Sequence, residues 1–277
     1  MDEVSTTLGR VRGRVASGDG TPIAYERYGE GPPLVLVSGV LGTAAGERAL
    51  GGLLARRFTV VAYDRRGRGG SGDTGPYAVE REIEDLAAVV GEAGPGAVLH
   101  GTGTGGVLVL AAVAAGLPAG AVSVFEPPYT AAAAERGRQA AELLGSGRRA
   151  AALDLFLAES TVPAELRPGL AQPAHTLAYD AAVLGDGSVP ERLLAGVHAR
   201  VLVVDGGVSP TAVRQAARTL TEALPRARHR TLTGQTHDVA PHVLAPVLTD
   251  FLGDAQEPAE PTWNSPERPI PTGPAGA

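Results

Sequence analysis

One glycine-rich stretch constrains the fold of this chain more than any other. Residues 97–106 read AVLHGTGTGG, with an apolar run entering the stretch and a second apolar run, residues 107–112, leaving it. A glycine-rich turn between a strand and a helix presents backbone N–H groups at the helix N-terminus, where α/β proteins bind anions or carry out chemistry. The stretch therefore predicts an α/β sheet with a functional site at the carboxyl end of this strand.

Two interpretations of the turn compete. Read as G-x-G-x-x-G, with Gly101, Gly103 and Gly106, it is a dinucleotide fingerprint, and Glu126 would then bind the ribose about twenty residues further on. Read as G-x-S-x-G over residues 101–105, it is a turn for a nucleophile, with Gly103 in place of the serine. A dinucleotide fingerprint is expected in the first βα unit, but several predicted strands precede this turn. The second interpretation is therefore favoured, and no cofactor is expected.

The rest of the chain alternates between short apolar runs and segments of helical spacing, which predicts a doubly wound, mostly parallel sheet. Besides the strand entering the turn, strands are predicted at 11–16, 21–28, 34–37, 58–63, 122–125, 201–204 and 229–232, and helices near 46–56, 79–90, 107–112, 211–224 and 242–252.

Two regions depart from this alternation. Residues 129–195 are rich in Ala and Leu and interrupted by prolines, which predicts a small helical cap within a domain spanning 1–254. Residues 255–277 are rich in Pro and Gly and carry almost no apolar residues, so this tail is expected to be disordered.

Composition narrows the classes of function. A net charge of −6 without a long basic run argues against nucleic acid and anionic membranes as partners. The chain contains no Cys and no Lys, which excludes disulfides, thiolate chemistry and Schiff bases on a side-chain amine. No signal peptide and no apolar run of about 18 residues is found, so we expect a cytoplasmic protein.

Four stretches carry a resemblance to a known family. They are SGVLG at 38–42, DRRGRGGS at 64–71, GTGTGG at 101–106 and GQTHD at 234–238. Together, in this order, they resemble the His-Gly oxyanion loop, the D-x-R-G-x-G-x-S segment, the G-x-S-x-G-G elbow and the late catalytic His of the α/β-hydrolase superfamily, in particular its small actinobacterial-type members. Ser38 replaces the usual His of the loop, and Gly103 replaces the nucleophile of the elbow.

The resemblance assigns roles to individual residues. It implies that His237 is the base and that the backbone N–H groups of Thr104 and of Val40 or Leu41 form an oxyanion hole. The family's usual position for the acid falls near Ser209, which cannot serve. Two strand-end carboxylates remain, Glu126 first and Asp205 second.

Two further residues need an interpretation. His100, at the end of the strand that enters the turn, is a rival base, although a buried hydrogen-bonded histidine is expected there. Asp64 is expected to pair with an arginine of its own loop, Arg65, Arg66 or Arg68.

The missing hydroxyl at position 103 sets the functional hypothesis. Backbone donors and a histidine base can stabilise an enolate while a proton moves, or can activate water directly. The sequence therefore predicts an enzyme acting on a small apolar carbonyl compound, with a lyase, isomerase, cyclase or slow hydrolytic outcome. The alternatives are an inactive relative that binds a ligand or partner and, more remotely, a dinucleotide-binding protein.

Overall fold

The computed structural model describes residues 9–158, 167 and 169–253, and the predicted tail at 255–277 lies outside them. Eight strands form one sheet in the order β1-β2-β4-β3-β5-β6-β7-β8. The strands are β1 (Val11–Ala16), β2 (Pro22–Tyr28), β3 (Pro33–Val37), β4 (Thr59–Tyr63), β5 (Val98–Thr102), β6 (Ala121–Phe125), β7 (Arg200–Gly206) and β8 (Ala227–Leu232). β1 and β2 pair antiparallel, β2 runs antiparallel to β4, and every later pairing is parallel. The predicted mostly parallel, doubly wound sheet is confirmed.

Helices cover both faces of the sheet, as its apolar strands require. The helices are α1 (Arg48–Leu54), α2 (Val79–Ala93), α3 (Thr104–Ala114), α4 (Ala131–Gly145), α5 (Arg149–Leu157), α6 (Leu177–Leu184), α7 (Glu191–Leu194), α8 (Thr211–Ala223) and α9 (Pro241–Gly253). One core lies between the sheet and α2, α3 and α8, and the other lies between the sheet and α1 and α9. In β7, Val201 and Val203 face the first core, whereas Leu202 and Val204 face the second. This is why β7 is apolar at successive positions rather than at alternate ones.

The chain between β6 and β7 contains α4, α5, a 3₁₀ helix at Pro173–Thr176, α6 and α7. A third apolar cluster joins α4, α5 and α6 to Leu41 of the loop after β3. We call α4, α5, the 3₁₀ helix and α6 the cap helices. Their apolar side chains therefore bury part of the loop that follows β3.

None of the helices in the described residues is both long enough and apolar enough to span a bilayer.

Candidate active site

The glycine turn joins β5 to α3 through Gly103, whose φ of 57° and ψ of −126° suit glycine far better than other residues. Its neighbours must also be small. A Cβ at Gly101 would lie 2.6 Å from the carbonyl oxygen of Gly105, and a Cβ at Gly105 would lie 2.3 Å from that of Val37. The glycines thus allow α3 to begin directly against β3 and β5. The first N–H groups of α3 have no intrahelical acceptor, as at the start of any helix.

His237 lies in the loop between β8 and α9, and hydrogen bonds to the end of β7 hold this loop. Val208 N–H donates to the carbonyl oxygen of Gln235 at 3.0 Å. A Cβ at Gly206 would lie only 2.4 Å from that oxygen, so a glycine is needed for the two loops to approach. The side chain of His237 is 60% exposed and is therefore open to solvent and small molecules.

Glu126 meets His237 from the end of β6. Its Oε2 lies 3.0 Å from His237 Nδ1, and its Oε1 accepts hydrogen bonds from Gly206 N–H at 2.8 Å and Ser209 Oγ at 2.5 Å. Burial by itself raises the pKa of Glu126, but the hydrogen bonds from His237, Ser209 and Gly206 outweigh burial and hold its pKa below the ordinary value. An ionised Glu126 fixes Nδ1 of His237 as the donor and leaves Nε2 as the free acceptor.

The backbone of Glu126 is strained as well. Its φ is 46°, a left-handed value that is uncommon for a residue with a side chain, and Pro127 follows it. Strain of this kind persists where the surrounding contacts over-determine a conformation, and it is concentrated at functional sites. Here the three hydrogen bonds to the carboxylate supply those contacts.

The Glu126–His237 pair faces the glycine turn. A Cβ built on Gly103 would lie 3.7 Å from Cε1 and 3.9 Å from Nε2 of His237, which is ordinary van der Waals contact. A hydroxyl one bond beyond that Cβ would be within hydrogen-bond reach of Nε2. The structure therefore places Gly103, His237 and Glu126 close together, and leaves room where a serine side chain would stand.

The structure does not bring the second carboxylate, Asp205, to His237. Asp205 is buried, and its Oδ1 lies 3.4 Å from Nε2 of His229 on the neighbouring strand. Neither oxygen of Asp205 accepts a hydrogen bond from the described part of the chain. The interpretation of Asp205 as the acid that orients His237 is therefore wrong, because its strand position points it at β8 rather than into the cleft.

The rival base, His100, is buried within β5. Its Nε2 lies 3.4 Å from Thr102 Oγ1, and burial lowers its pKa to about 4. The expectation of a buried histidine agrees with this position, which gives the ring no access to the cleft.

The predicted oxyanion donors belong to two segments that approach Gly103, the start of α3 and the loop after β3. Thr104 begins α3, and the Cα of Gly39 lies 3.9 Å from the Cβ position at Gly103. Arg68 Nη1 donates to the carbonyl oxygen of Gly39 at 2.9 Å. Because that carbonyl and the N–H of Val40 belong to one trans peptide, the Val40 N–H points away from Arg68. Leu41 has a φ of 56°, and its side chain packs into the apolar cluster of the cap helices.

Sequence reasoning missed two features of this region. Ser209 cannot act as an acid, and the sequence gives no sign that its hydroxyl donates to Glu126. Asp64 does not pair with an arginine of its own loop; it accepts from Ala44 N–H at 2.8 Å and Gly70 N–H at 2.7 Å. Three arginines in one loop were the available signal, because buried guanidinium groups need carboxylates from elsewhere in the chain.

The dinucleotide interpretation fails on the same geometry. The glycine turn follows the fifth strand of the chain, in the interior of the sheet, rather than opening the first βα unit. Glu126, the expected ribose ligand, points its oxygens at Gly206, Ser209 and His237. No group of three or more His, Asp or Glu side chains within residues 9–158, 167 and 169–253 is arranged to hold a metal ion.

Known proteins match this chain in sequence and in fold. Residues 34–272 match the sequence profile of the Alpha/beta hydrolase family. An α/β hydrolase from Sphaerobacter thermophilus is 47% identical, with a TM-score of 0.78 over 86% of this chain and 99% of that one. The chain belongs to the alpha/beta hydrolase family.

Other relatives are similar over less of the sequence or at lower identity. A putative carbamate hydrolase from Azorhizobium caulinodans is 36% identical over 95 residues, which are 34% of this chain and 36% of that protein. A non-heme haloperoxidase from Rhodococcus erythropolis is 37% identical over 95 residues, 33% of this chain and 35% of that protein. The matched segment thus spans about a third of each of these two curated relatives. An esterase from Thermogutta terrifontis shares the fold at 20% identity, with a TM-score of 0.71 over 89% of this chain and all of that one.

Proposed function

We propose that this chain is an α/β-hydrolase-fold enzyme that acts on a small apolar carbonyl compound without a nucleophilic side chain. The observation that carries the proposal is the Glu126–His237 hydrogen bond of 3.0 Å, directed at an elbow whose central residue is Gly103. A histidine oriented in this way by a carboxylate is the general base of the Ser–His–acid mechanism. The family membership and the names of the hydrolases that the chain resembles support a small-molecule substrate.

His237 Nε2 would take a proton either from water or from a carbon next to the substrate carbonyl. The backbone N–H groups of Thr104 and Val40 would hold the negative charge that develops on the carbonyl oxygen. In the hydrolytic case, water adds to the carbonyl carbon and the imidazolium returns its proton to the leaving group. In the other case, the enolate is held until it is protonated again or eliminates a group. Neither route forms a covalent intermediate with the protein.

The test is the substitution Gly103→Ser, with Gly103→Ala as its matched control. Both variants add a Cβ at a φ of 57°, but only serine adds a hydroxyl. We expect Gly103→Ser to gain hydrolysis of p-nitrophenyl acetate with an acyl-enzyme burst, at a kcat at least about 10²-fold above that of Gly103→Ala. His237→Ala in the Gly103→Ser background should remove the gain, because the base is lost.

A negative result is equally informative. If Gly103→Ser folds and gains no activity, the base and the backbone donors are not arranged for catalysis, and the proposal fails.

The wild-type chain is then compared with His237→Ala on a panel of small carbonyl metabolites in D₂O, observed by NMR. Deuterium at the carbon next to the carbonyl, or a new product, should appear only with the wild type. If no panel member reacts and some bind, the chain is an inactive relative that binds a ligand.

A further inference from the structure

A carboxylate from the cap helices reaches the base of the glycine turn. Asp180 lies on α6, and its side chain is only 5% exposed. Its Oδ1 is 2.8 Å from Arg65 Nη1, and its Oδ2 is 2.7 Å from Arg68 Nη2. Both arginines are buried and come from the loop after β4. The cap helices are therefore joined to the loop after β4 by charge, and to the loop after β3 by apolar packing.

The two arginines also hold the loop that follows β3. Arg68 Nη1 donates to the carbonyl oxygen of Gly39 at 2.9 Å, and Arg65 Nη1 lies 3.4 Å from that of Ser38. With the Gly39 carbonyl held in this direction, the N–H of Val40 in the same peptide is directed the opposite way. The direction of one expected oxyanion donor thus depends on where Arg68 lies, and Asp180 holds Arg68.

Asp180 also contacts Thr104, the residue that carries the second expected oxyanion donor. Thr104 Oγ1 donates to Asp180 Oδ1 at 2.6 Å, and the N–H of Thr104 is the second expected oxyanion donor. Thr104 is the first residue of α3, so its hydroxyl ties the start of this helix to α6. One carboxylate therefore contacts α3 and, through an arginine, the loop after β3.

The charges in this cluster balance. Glu82 of α2 accepts from Arg65 at 2.7 and 2.9 Å, so two guanidinium groups face two carboxylates. Burial alone would raise the pKa of Asp180, but Arg68, Arg65 and the Thr104 hydroxyl hold its pKa below the ordinary value. A neutral amide at this position would accept at one atom only and would leave a buried guanidinium without its counter-ion.

We propose that Asp180 is a positioning residue that sets both halves of the oxyanion hole and couples them to the cap helices. This inference rests on the proposed function, because it concerns the hole that His237 would serve. A second contact points the same way: Leu41, with its left-handed φ of 56°, is held by the apolar cluster of the cap helices. A displacement of the cap helices would release the loop after β3 both at Gly39, which Arg68 holds, and at Leu41.

The test uses amide hydrogen exchange in the full chain, so that it does not depend on activity. Asp180→Asn should raise exchange at least about tenfold in peptides covering residues 36–42 and 102–108, since local openings control exchange. The matched control is Asp85→Asn. Asp85 makes an equally buried pair with Arg66 of the same loop, at 2.7 Å, but contacts neither Thr104 nor the loop after β3. Asp85→Asn should leave exchange in both peptides unchanged.

Two results would overturn the inference. One is equal exchange in the two variants at both peptides; the other is a change in Asp180→Asn confined to α6. If Asp180→Asn does not fold, Thr104→Val replaces it, because this variant removes the hydroxyl and leaves both arginine pairs intact. Thr104→Val should raise exchange at residues 102–108, whereas Thr104→Ser, which keeps the hydroxyl, should not. Equal exchange in these two variants would count against the inference.

A kinetic measurement separates this inference from the proposed function. In the Gly103→Ser background, Asp180→Asn should lower kcat about tenfold and leave KM nearly unchanged, because the hole acts on the transition state. A silent Gly103→Ser variant would refute the proposed function, while the exchange experiment would still decide the role of Asp180. A change in KM alone would assign Asp180 to substrate binding and overturn the inference.

Discussion

Three donors hold the carboxylate of Glu126: the backbone N–H of Gly206 and the side chains of Ser209 and His237. The Ser209 hydroxyl can be removed by a substitution that leaves both the backbone and His237 in place. A carboxyl group whose pKa is lower in the folded chain than in the unfolded chain stabilises the fold above its ordinary pKa. That stabilising contribution disappears as the pH falls from the ordinary pKa through the pKa of the folded state. The pKa of Glu126 is lowered in this way. Ser209 should therefore stabilise the protein at neutral pH and contribute less in acid.

Ser209→Ala is expected to lower the free energy of unfolding by about 2 kcal/mol near neutral pH, since hydrogen bonds to charged groups are stronger than neutral ones. The loss should shrink as the pH falls below the ordinary carboxyl value of 4.5, because a protonated Glu126 needs the donor less. Urea unfolding at a series of pH values measures both effects.

Ser123→Ala is the matched control for this prediction. Ser123 is fully buried in β6, and its hydroxyl has no hydrogen-bond partner among the described residues. Its removal should change stability little and with no pH dependence in the acid range. A loss in Ser209→Ala that stays constant down to low pH would contradict the account given for Glu126.

At the scale of single elements, α3 needs a glycine at position 105 because backbone atoms at the end of β3 lie against it. A Cβ at Gly105 would meet the carbonyl oxygens of Val37 at 2.3 Å and Ser38 at 2.6 Å, and both are backbone atoms that cannot swing aside. A Cβ at Gly91 of α2 would have nothing within 4 Å. Both residues lie inside helices, so the same substitution at the two positions separates packing from helix propensity.

We expect Gly105→Ala to destabilise the protein by about 3 kcal/mol, as overpacking does when the backbone itself must shift. Gly91→Ala should stabilise the protein by about 0.5–1 kcal/mol, because alanine is the better helix former. Chemical unfolding of the two variants beside the wild type checks this. Similar effects at both positions would show that α3 can move away from β3 at little cost.

The elements differ in how well the sequence predicts them. The strand predictions at 34–37 and 201–204 fall within β3 (Pro33–Val37) and β7 (Arg200–Gly206), because strands buried on both faces are marked by short apolar runs. The spacing of α2 predicted its apolar face but not that Glu82 and Asp85 would be buried with it. Periodicity identifies buried positions only where the buried residues are apolar. Glu82 and Asp85 are buried in ion pairs with arginines, so the apolar pattern does not mark them.

At the scale of the whole molecule, the parts of the site that could be predicted are those carried by local motifs. The turn at Gly103 and the loop of His237 follow from short patterns, and Glu126 followed from its place at a strand end. The pairing of Asp180 with Arg65 joins residues 115 positions apart, and no local pattern specifies it. The same is true of Ser209 and Glu126, which are 83 positions apart. Such pairings are set by how the elements pack.

His100 makes the stability of the whole fold depend on pH. Burial lowers its pKa to about 4 from an ordinary 6.5, so between these values the unfolded chain binds a proton that the folded chain does not. Stability must therefore fall as the pH falls through this range. By linkage the loss from this one residue is about 3 kcal/mol.

His100→Gln should reduce the loss of stability between neutral pH and about pH 4 by most of that amount, as measured by thermal or urea unfolding. His198→Gln, at an exposed position before β7, is the control and should leave the pH dependence as it is in the wild type. An unchanged pH profile in His100→Gln would mean that the ring binds its proton equally well in the folded and the unfolded chain, which would contradict this account.

Gly103 also determines how this chain responds to reagents that sort enzymes by reactivity. Fluorophosphonate probes label serine hydrolases by forming a bond between phosphorus and the activated serine oxygen. Here the elbow and His237 are present, but residue 103 has no side-chain hydroxyl to phosphonylate. A survey that counts this family by covalent labelling of the elbow serine will therefore pass over this protein.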